Sequence, residues 1–321
     1  MKSVGDMFGM PPERFTLQPS SELVQPDCRV GVEIELESLS CWSNAFTERL
    51  KPYWNVVEDH SLRNRGREFV TSGDPILFGQ DLVTALERFD DVMGEYISDY
   101  RLPPATTNRT SVHIHIDARP LTVYQLQRWA ILHYVFEEAL FQWAGDGRIN
   151  NNYCLSSKRH KYFQSILRDI ISSERTFKEA VSGGQKYAAF NVSSIRKYGS
   201  IETRIMRGTY DGKLIKKWIN ILLSIRKYAI ENEFDLSDIP AVASSKGMVQ
   251  FMHEVFGDLS SEFEFVTDKM ILDGVRRVER AIMFNTLAEV SLKFNNQGVR
   301  HTDHFDLLIS GLAPEMLAVE K

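Results

Sequence analysis

The sequence predicts an α+β fold, an antiparallel or mixed sheet with helices covering one face, and three observations carry that prediction. Several short segments alternate apolar and polar residues with period two, the mark of strands with one buried face. Longer segments between and after them repeat apolar residues at helical spacing. The order runs strand, helix, strand, long helix, strand pair, helices, without the regular alternation of a doubly wound parallel sheet.

Residues 1–27 hold Pro11, Pro12, Pro19 and Pro26 among polar neighbours and read as an extended arm ahead of the first regular element. Residues 29–39 alternate apolar and acidic side chains as a strand does, and 67–71 offer a second short extended segment. In 80–100, Leu82, Leu86, Phe89, Val92, Met93 and Tyr96 fall at helical spacing, and Pro103-Pro104 stops the helix. Residues 111–117 alternate strictly. Thr122 is placed to cap a long helix that runs to about residue 143. Residues 162–180 form a further helical stretch, followed by the turn Ser182-Gly183-Gly184-Gln185. Two extended pieces, 187–193 and 200–208, are split by a polar turn and resemble a hairpin. From Asp211 onward the pattern is helical over 213–232, 246–256, 268–294 and 303–312. The expected organisation is therefore an arm over 1–27, a main domain over 28–235 and a helical extension over 236–321 packing on it.

A net charge of -5 in 321 residues leaves no basic footprint for a phosphate backbone, which disfavours a nucleic-acid binder. No stretch of about 18 apolar residues occurs, and the first residues lack the basic-then-apolar order of a secretory signal, so the expected location is cytoplasmic. Cys28, Cys41 and Cys154 show no CxxC spacing and read as reduced structural residues.

The chemistry lies in the polar faces of the strands. In Gly31-Val32-Glu33-Ile34-Glu35-Leu36-Glu37 the three carboxylates share one side and the aliphatic residues the other. Taken alone, this also fits the solvated face of an antiparallel strand. The pattern recurs in Val112-His113-Ile114-His115-Ile116-Asp117, where two imidazoles and an acid project together, and in Ile201-Glu202-Thr203-Arg204-Ile205. Between the first two strands, Glu58 and Glu68 are the further acids to watch. If these faces line one sheet, they offer an oxygen-rich donor set with a guanidinium beside it, suited to hard cations such as Mg2+ or Mn2+.

The order of these motifs is what resembles a known family. GVEIE at 31–35, EDHSL at 58–62 with REFVTS at 67–72, SVHIHID at 111–117, and QKYAAFN at 185–191 with SIETRIMRGT at 200–209 together resemble the amidoligase family of the glutamine synthetase and glutamate-cysteine ligase superfamily. The resemblance runs from about Arg29 to Tyr228. It implies a glutamine-synthetase-like curved sheet with a concave active-site face and helices on the outer face. It implies metal ligation by Glu33, Glu35, Glu58, Glu68, His113 and Glu202. It further implies that Arg204 contacts the transferring phosphate, that Asn191 lines the pocket, and that Glu68 works beside them in catalysis. His115 is placed at nucleotide phosphate or substrate. Lys186, on the Gly-rich segment 182–186, would reach phosphate if that segment closes over the site, and is otherwise part of a plain connector.

The activity so implied is an ATP-dependent ligation of a carboxylate to an amine through an acyl phosphate, with Mg2+ or Mn2+ as cofactor. Partners would be a small-molecule or peptide carboxylate and an amine, with no membrane, with nucleic acid only as a modified-base substrate, and with a homo-oligomer left open. The sequence carries neither GxxxxGK[ST] nor GxGxxG, so nucleotide would bind by another route. Two alternatives stand beside this one: a metal-dependent hydrolase built on the HxH strand, and a non-catalytic descendant that keeps the sheet for binding or assembly.

Overall fold

The computed structural model describes residues 2–11, 20–72, 77–145, 147–159, 163–183, 185–234 and 247–295. It is an α+β chain that divides into two units, Met1–Val278 and Glu279–Lys321. The boundary at 278 differs from the one expected at 235, because helices that follow residue 246 belong to the first unit. Of the second unit, the described residues continue the last helix.

Among the described residues six strands form one open sheet: β1 (Val30–Leu36), β2 (Trp54–Glu58), β3 (Arg67–Thr71), β4 (Val112–Asp117), β5 (Phe190–Asn191) and β6 (Ser200–Thr203). Their order is β2-β3-β1-β4-β6-β5, and every neighbouring pair is antiparallel. Because side chains alternate along a strand, pairing fixes which residues share a face. Glu33 sits opposite His113, Glu35 opposite Glu68, and His115 opposite both Gly31 and Glu202, so one face is polar across four strands. The other face carries Val32, Ile34, Phe69, Val112, Ile114, Ile116 and Ile201, all essentially inaccessible to solvent.

That apolar face is why the helices lie where they do. Helix α3 (Gly79–Tyr100) sets Phe89 against Trp54 and Phe69 with ring centroids 5.2 and 5.4 Å apart, and the Trp54 indole donates to the Ala85 carbonyl at 2.8 Å. Helix α4 (Val123–Ala144) places Trp129 edge-on to Phe190 of β5. Helix α8 (Gly212–Glu231) packs against both α3 and α4. Each large side chain buried there contributes roughly 1.5–3 kcal/mol. Thr122 caps α4 as expected, its hydroxyl accepting from Gln125 N while Gln125 reaches back, a capping box.

Several expectations change in the structure. The N-terminal arm is not merely extended: helix α1 (Val4–Met7) docks by Val4 N to Leu121 O at 2.8 Å, and Val4 is fully buried. Helix α2 (Asn44–Leu50) and strand β2 carry no periodicity strong enough to have been expected. The helix expected over 162–180 is two, α5 (Phe163–Ser172) and α6 (Glu174–Ser182), because Ser173 adopts an extended conformation and caps α6 through its hydroxyl. The expected hairpin has only short strands, and its polar turn is helical, a 3₁₀ turn at 192–194 and α7 (Ile195–Tyr198). Helices α9 (Gly247–Phe256) and α10 (Asp268–Asn295) lie where expected, while the helix expected over 303–312 falls outside the described residues. Cys28, Cys41 and Cys154 are free thiols. Among the described residues no helix is long and apolar enough to cross a membrane.

Candidate functional site

The polar face of the sheet brings together Glu33 from β1, His113 from β4 and Glu202 from β6, whose donor atoms all lie within 4.8 Å of one another. His113 is 2 % exposed and Glu202 5 %, so two of the three are nearly dry. His113 Nδ1 stands 3.1 Å from Glu33 Oε2 and 3.6 Å from Glu202 Oε1. His115 Nε2 lies 3.2 Å from Glu33 Oε1, yet off the line of a hydrogen bond, and is a buried nitrogen without a partner. Its other ring nitrogen meets the Ser200 hydroxyl at 3.1 Å.

A serine decides which histidine nitrogen faces the cluster. Ser111 has one hydroxyl proton and gives it to Glu35 Oε2 at 2.6 Å, while its oxygen lies 2.7 Å from His113 Nε2. His113 must therefore donate from Nε2, which leaves Nδ1 bare in the neutral ring and pointed at two carboxylates. Such a convergence of lone pairs is repulsive in a low-dielectric site unless a positive charge sits among them, either a second proton on His113 or a cation. An imidazole nitrogen with two carboxylates is a set that could hold a divalent cation, the imidazole suiting Zn2+ or Fe2+ and the carboxylates Mg2+ or Mn2+.

The acids respond to this crowding in different ways. Burial acts to raise the Glu33 carboxyl, but the two imidazoles set against it, His113 and His115, outweigh that and hold Glu33 well below the usual range. Burial acts likewise on Glu202, against which Arg204 and the two histidines keep it ionised and low. Glu68 has no such help. Burial first, then repulsion from Glu33, Glu35 and Asp59, push it up to about 7.

Around this centre the structure sorts the expected residues. Glu35 is buried and held by Ser111, one residue pair along β1 from the triad. Glu68 lies beside Glu33 and Glu35 on the same face. Asn191 donates to Glu202 Oε2 at 2.7 Å and to Ser194 at 3.3 Å, so it orients the carboxylate. Arg204 pairs with Glu202 Oε1 and donates from Nε to the Tyr153 carbonyl at 3.1 Å. Lys186 is exposed, with Nζ 5.7 Å from the Tyr187 ring centroid; the Arg204 guanidinium lies at the same distance from that ring. Gly184 of the Gly-rich segment is outside the described residues.

Two acids are not brought to the site. Glu58 has the opposite parity, since Val57 rather than Glu58 pairs with Glu68; its side chain is 67 % exposed and bound to Arg67 Nη1 at 2.8 Å. Glu37 shares the parity of Glu33 and Glu35 but lies past the end of β1, buried, where it accepts from Arg63 N at 2.8 Å and from the Thr107 hydroxyl at 3.0 Å. It ties two loops together.

Sequence reasoning missed four contributors. Ser111 and Ser200 lie on the polar parity of their strands, a signal masked by their small size. Ser194 donates to Glu202 Oε2 at 3.1 Å from within the helical turn. Arg148 has no sequence signal at all: it is 4 % exposed and donates to the carbonyls of Arg204 at 2.7 Å and Ile205 at 2.9 Å, fixing the chain as it leaves β6. Burial depresses the basicity of this guanidinium.

Neither a scan against protein-family models nor a search of curated proteins returns a match to this chain.

Proposed function

We propose that this protein is a nucleotide- and divalent-cation-dependent ligase that joins a carboxylate to an amine. The observation that carries the reading is the convergence of Glu33, His113 and Glu202, three residues far apart in sequence, on one largely buried patch with Arg204 bound to its edge. ATP would supply the leaving group that a carboxylate lacks, and Mg2+ or Mn2+ would offset the negative charge that such a transfer builds.

The chain's own residues support this division of labour. Glu33, Glu202 and His113 Nδ1 would hold the cation, with His115 Nε2 as a further buried donor. Asn191 and Ser194 keep Glu202 turned inward, and Ser111 keeps Nδ1 of His113 bare. Arg204, anchored through Tyr153 and Glu202, offers a fixed guanidinium of the kind that stabilises transferring phosphate, and exposed Lys186 would be a second cation for it on the neighbouring segment. Glu68, with a carboxyl near neutrality, is the group placed to take a proton from an incoming amine. The glutamine-synthetase-like form of the sheet belongs to the same proposal, which the antiparallel pairing and the polar face support.

The test is ADP formation with Mg2+ or Mn2+ across a panel of carboxylates and amines. The expected result is turnover that needs both partners and the nucleotide, lost by at least a hundredfold in Arg204→Ala while cation binding persists. Turnover without nucleotide points to a hydrolase instead, and an active Arg204→Ala removes that residue from its role.

A further inference from the structure

The guanidinium at the edge of the triad is held by a stretch of chain that is itself held from elsewhere. Arg204 donates from Nε to the Tyr153 carbonyl and from its main-chain N to the Ala189 carbonyl, both at 3.1 Å. Residues 153–157 and 187–189 are joined by a parallel bridge between Leu155 and Ala188. Leu155 N donates to the Tyr187 carbonyl at 2.6 Å, and Ala189 N donates to the Leu155 carbonyl at 2.8 Å. The Tyr187 ring, carried by the same pairing, lies 5.7 Å from the Arg204 guanidinium. The direction in which Arg204 points is thus set by where residues 153–157 sit.

The far end of 153–157 is fixed by Ser157, whose amide donates to Glu137 Oε1 at 2.8 Å and whose hydroxyl donates to Glu137 Oε2. Ser157 is 4 % exposed and Glu137 2 %, a depth at which a carboxylate is costly without a positive partner. Arg277 Nη1 is that partner, 3.1 Å from Glu137 Oε2 and 3.0 Å from the Ser157 oxygen. The serine has one proton, given to Glu137, so its oxygen is left to accept from Arg277. Arg277 is in reach because α10 approaches α4 closely: a Cβ on Gly274 would stand 2.2 Å from the Val135 carbonyl oxygen, so the helices meet backbone to backbone. Residue 277 lies one turn farther along the same side of α10.

We infer that Arg277 is a positioning residue for Arg204. It locks Ser157 onto Glu137, and the lock is felt at the Tyr153 carbonyl because the chain between them spans at most about 14 Å and is paired along its length. The last helix therefore helps to aim the site's guanidinium. The link itself stands on these hydrogen bonds; only the purpose of that aim, contact with phosphate, rests on the proposed ligase function.

The test has two arms, both on the full chain. In the first, hydrogen–deuterium exchange is followed without ligand in the unaltered protein and in Arg277→Gln. The expected result is exchange at least tenfold faster at the amides of Leu155, Ser157 and Ala189, with β1 and β4 unchanged. Glu137→Gln/Arg277→Gln removes both charges, leaves no buried acid unpaired, and serves where the single variant does not fold. In the second arm, ATP is titrated in the presence of Mg2+. Arg277→Gln should weaken its binding by a factor in the range of about two to thirty, the reach of mutations along contiguous networks. In an Arg204→Ala background the same change should have no further effect, since the residue it aims is gone. A purely structural role weakens binding by the same factor in both backgrounds, and that result overturns the inference, as does exchange that is unchanged or raised throughout the chain. No ATP binding by the unaltered protein overturns the ligase reading, and the exchange arm then decides the link by itself.

Discussion

Glu68 shows how a single residue records the state of the whole site. Its carboxyl stands near 7 because burial and three neighbouring carboxylates oppose its charge. A folded-state value above the unfolded one, near 4.3, means that the native protein binds the extra proton. The stability this contributes is complete below about pH 4, and falls as pH rises through 7. A cation seated among Glu33, His113 and Glu202 relieves the repulsion and lowers Glu68, so the metal-free protein should lose stability between about pH 5 and pH 8 while the Mg2+ form loses less. Thermal melts of both forms at several pH values check this, and Glu68→Gln should flatten the metal-free profile. At this scale the sequence was informative where strand parity applied. Glu33, Glu35, His113, His115 and Glu202 were all legible from alternation. Glu58 was not, because β2 went unseen and with it the register that turns Glu58 to the opposite face. Arg148 was invisible, since its role is to bond main-chain carbonyls that only the folded chain brings near.

Elements are joined here by specific polar contacts, and one of them ties α4 to the last helix. Glu137 on α4 is 2 % exposed, accepts from Ser157 N at 2.8 Å, and pairs with Arg277 of α10 at 3.1 Å. Burial raises its carboxyl while Ser157 and Arg277 oppose that rise. Removing the guanidinium leaves a buried acid with less compensation, so Arg277→Ala should cost about 3 kcal/mol, more than an exposed ion pair would. Urea titration measures it, and a cost below about 1 kcal/mol would mean that Glu137 is already neutral in the native state. The same scale explains which elements the sequence revealed. Long helices with an apolar stripe, α3, α4 and α8, were legible to within a residue or two. The break at Ser173 was not, because a serine inside an apolar-periodic run carries no more signal than one on a helix surface. Strand β2, with a single buried residue, Trp54, has no alternation to detect.

For the molecule as a whole, the sheet is a compromise between a face that stabilises and a face that gathers charge. Without a cation the polar face sets Glu33, Glu35, Glu68 and Glu202 near one another, a cost borne by the aliphatic side and by three buried tryptophans, Trp54, Trp129 and Trp218. Mg2+ at about a hundred times its Kd should add roughly 2.7 kcal/mol, a rise in melting temperature of about 5 °C for a chain of this size. Glu33→Gln should abolish that response, and an equal rise in both proteins would place the ion elsewhere. The α+β class and the covering of one face by helices followed from segment order and periodicity. The division at residue 278 did not, since nothing in the composition changes there.

Antiparallel pairing with strict alternation gives the central strand β1 an intolerance of a particular kind. Substituting one of its residues alters one side chain, whereas inserting or deleting one would drive Glu33 and Glu35 into the aliphatic interior and turn Val32 and Ile34 onto the polar face. A change of length in this stretch of chain is thus penalised at every residue at once, whereas a substitution is penalised only where its own side chain is used.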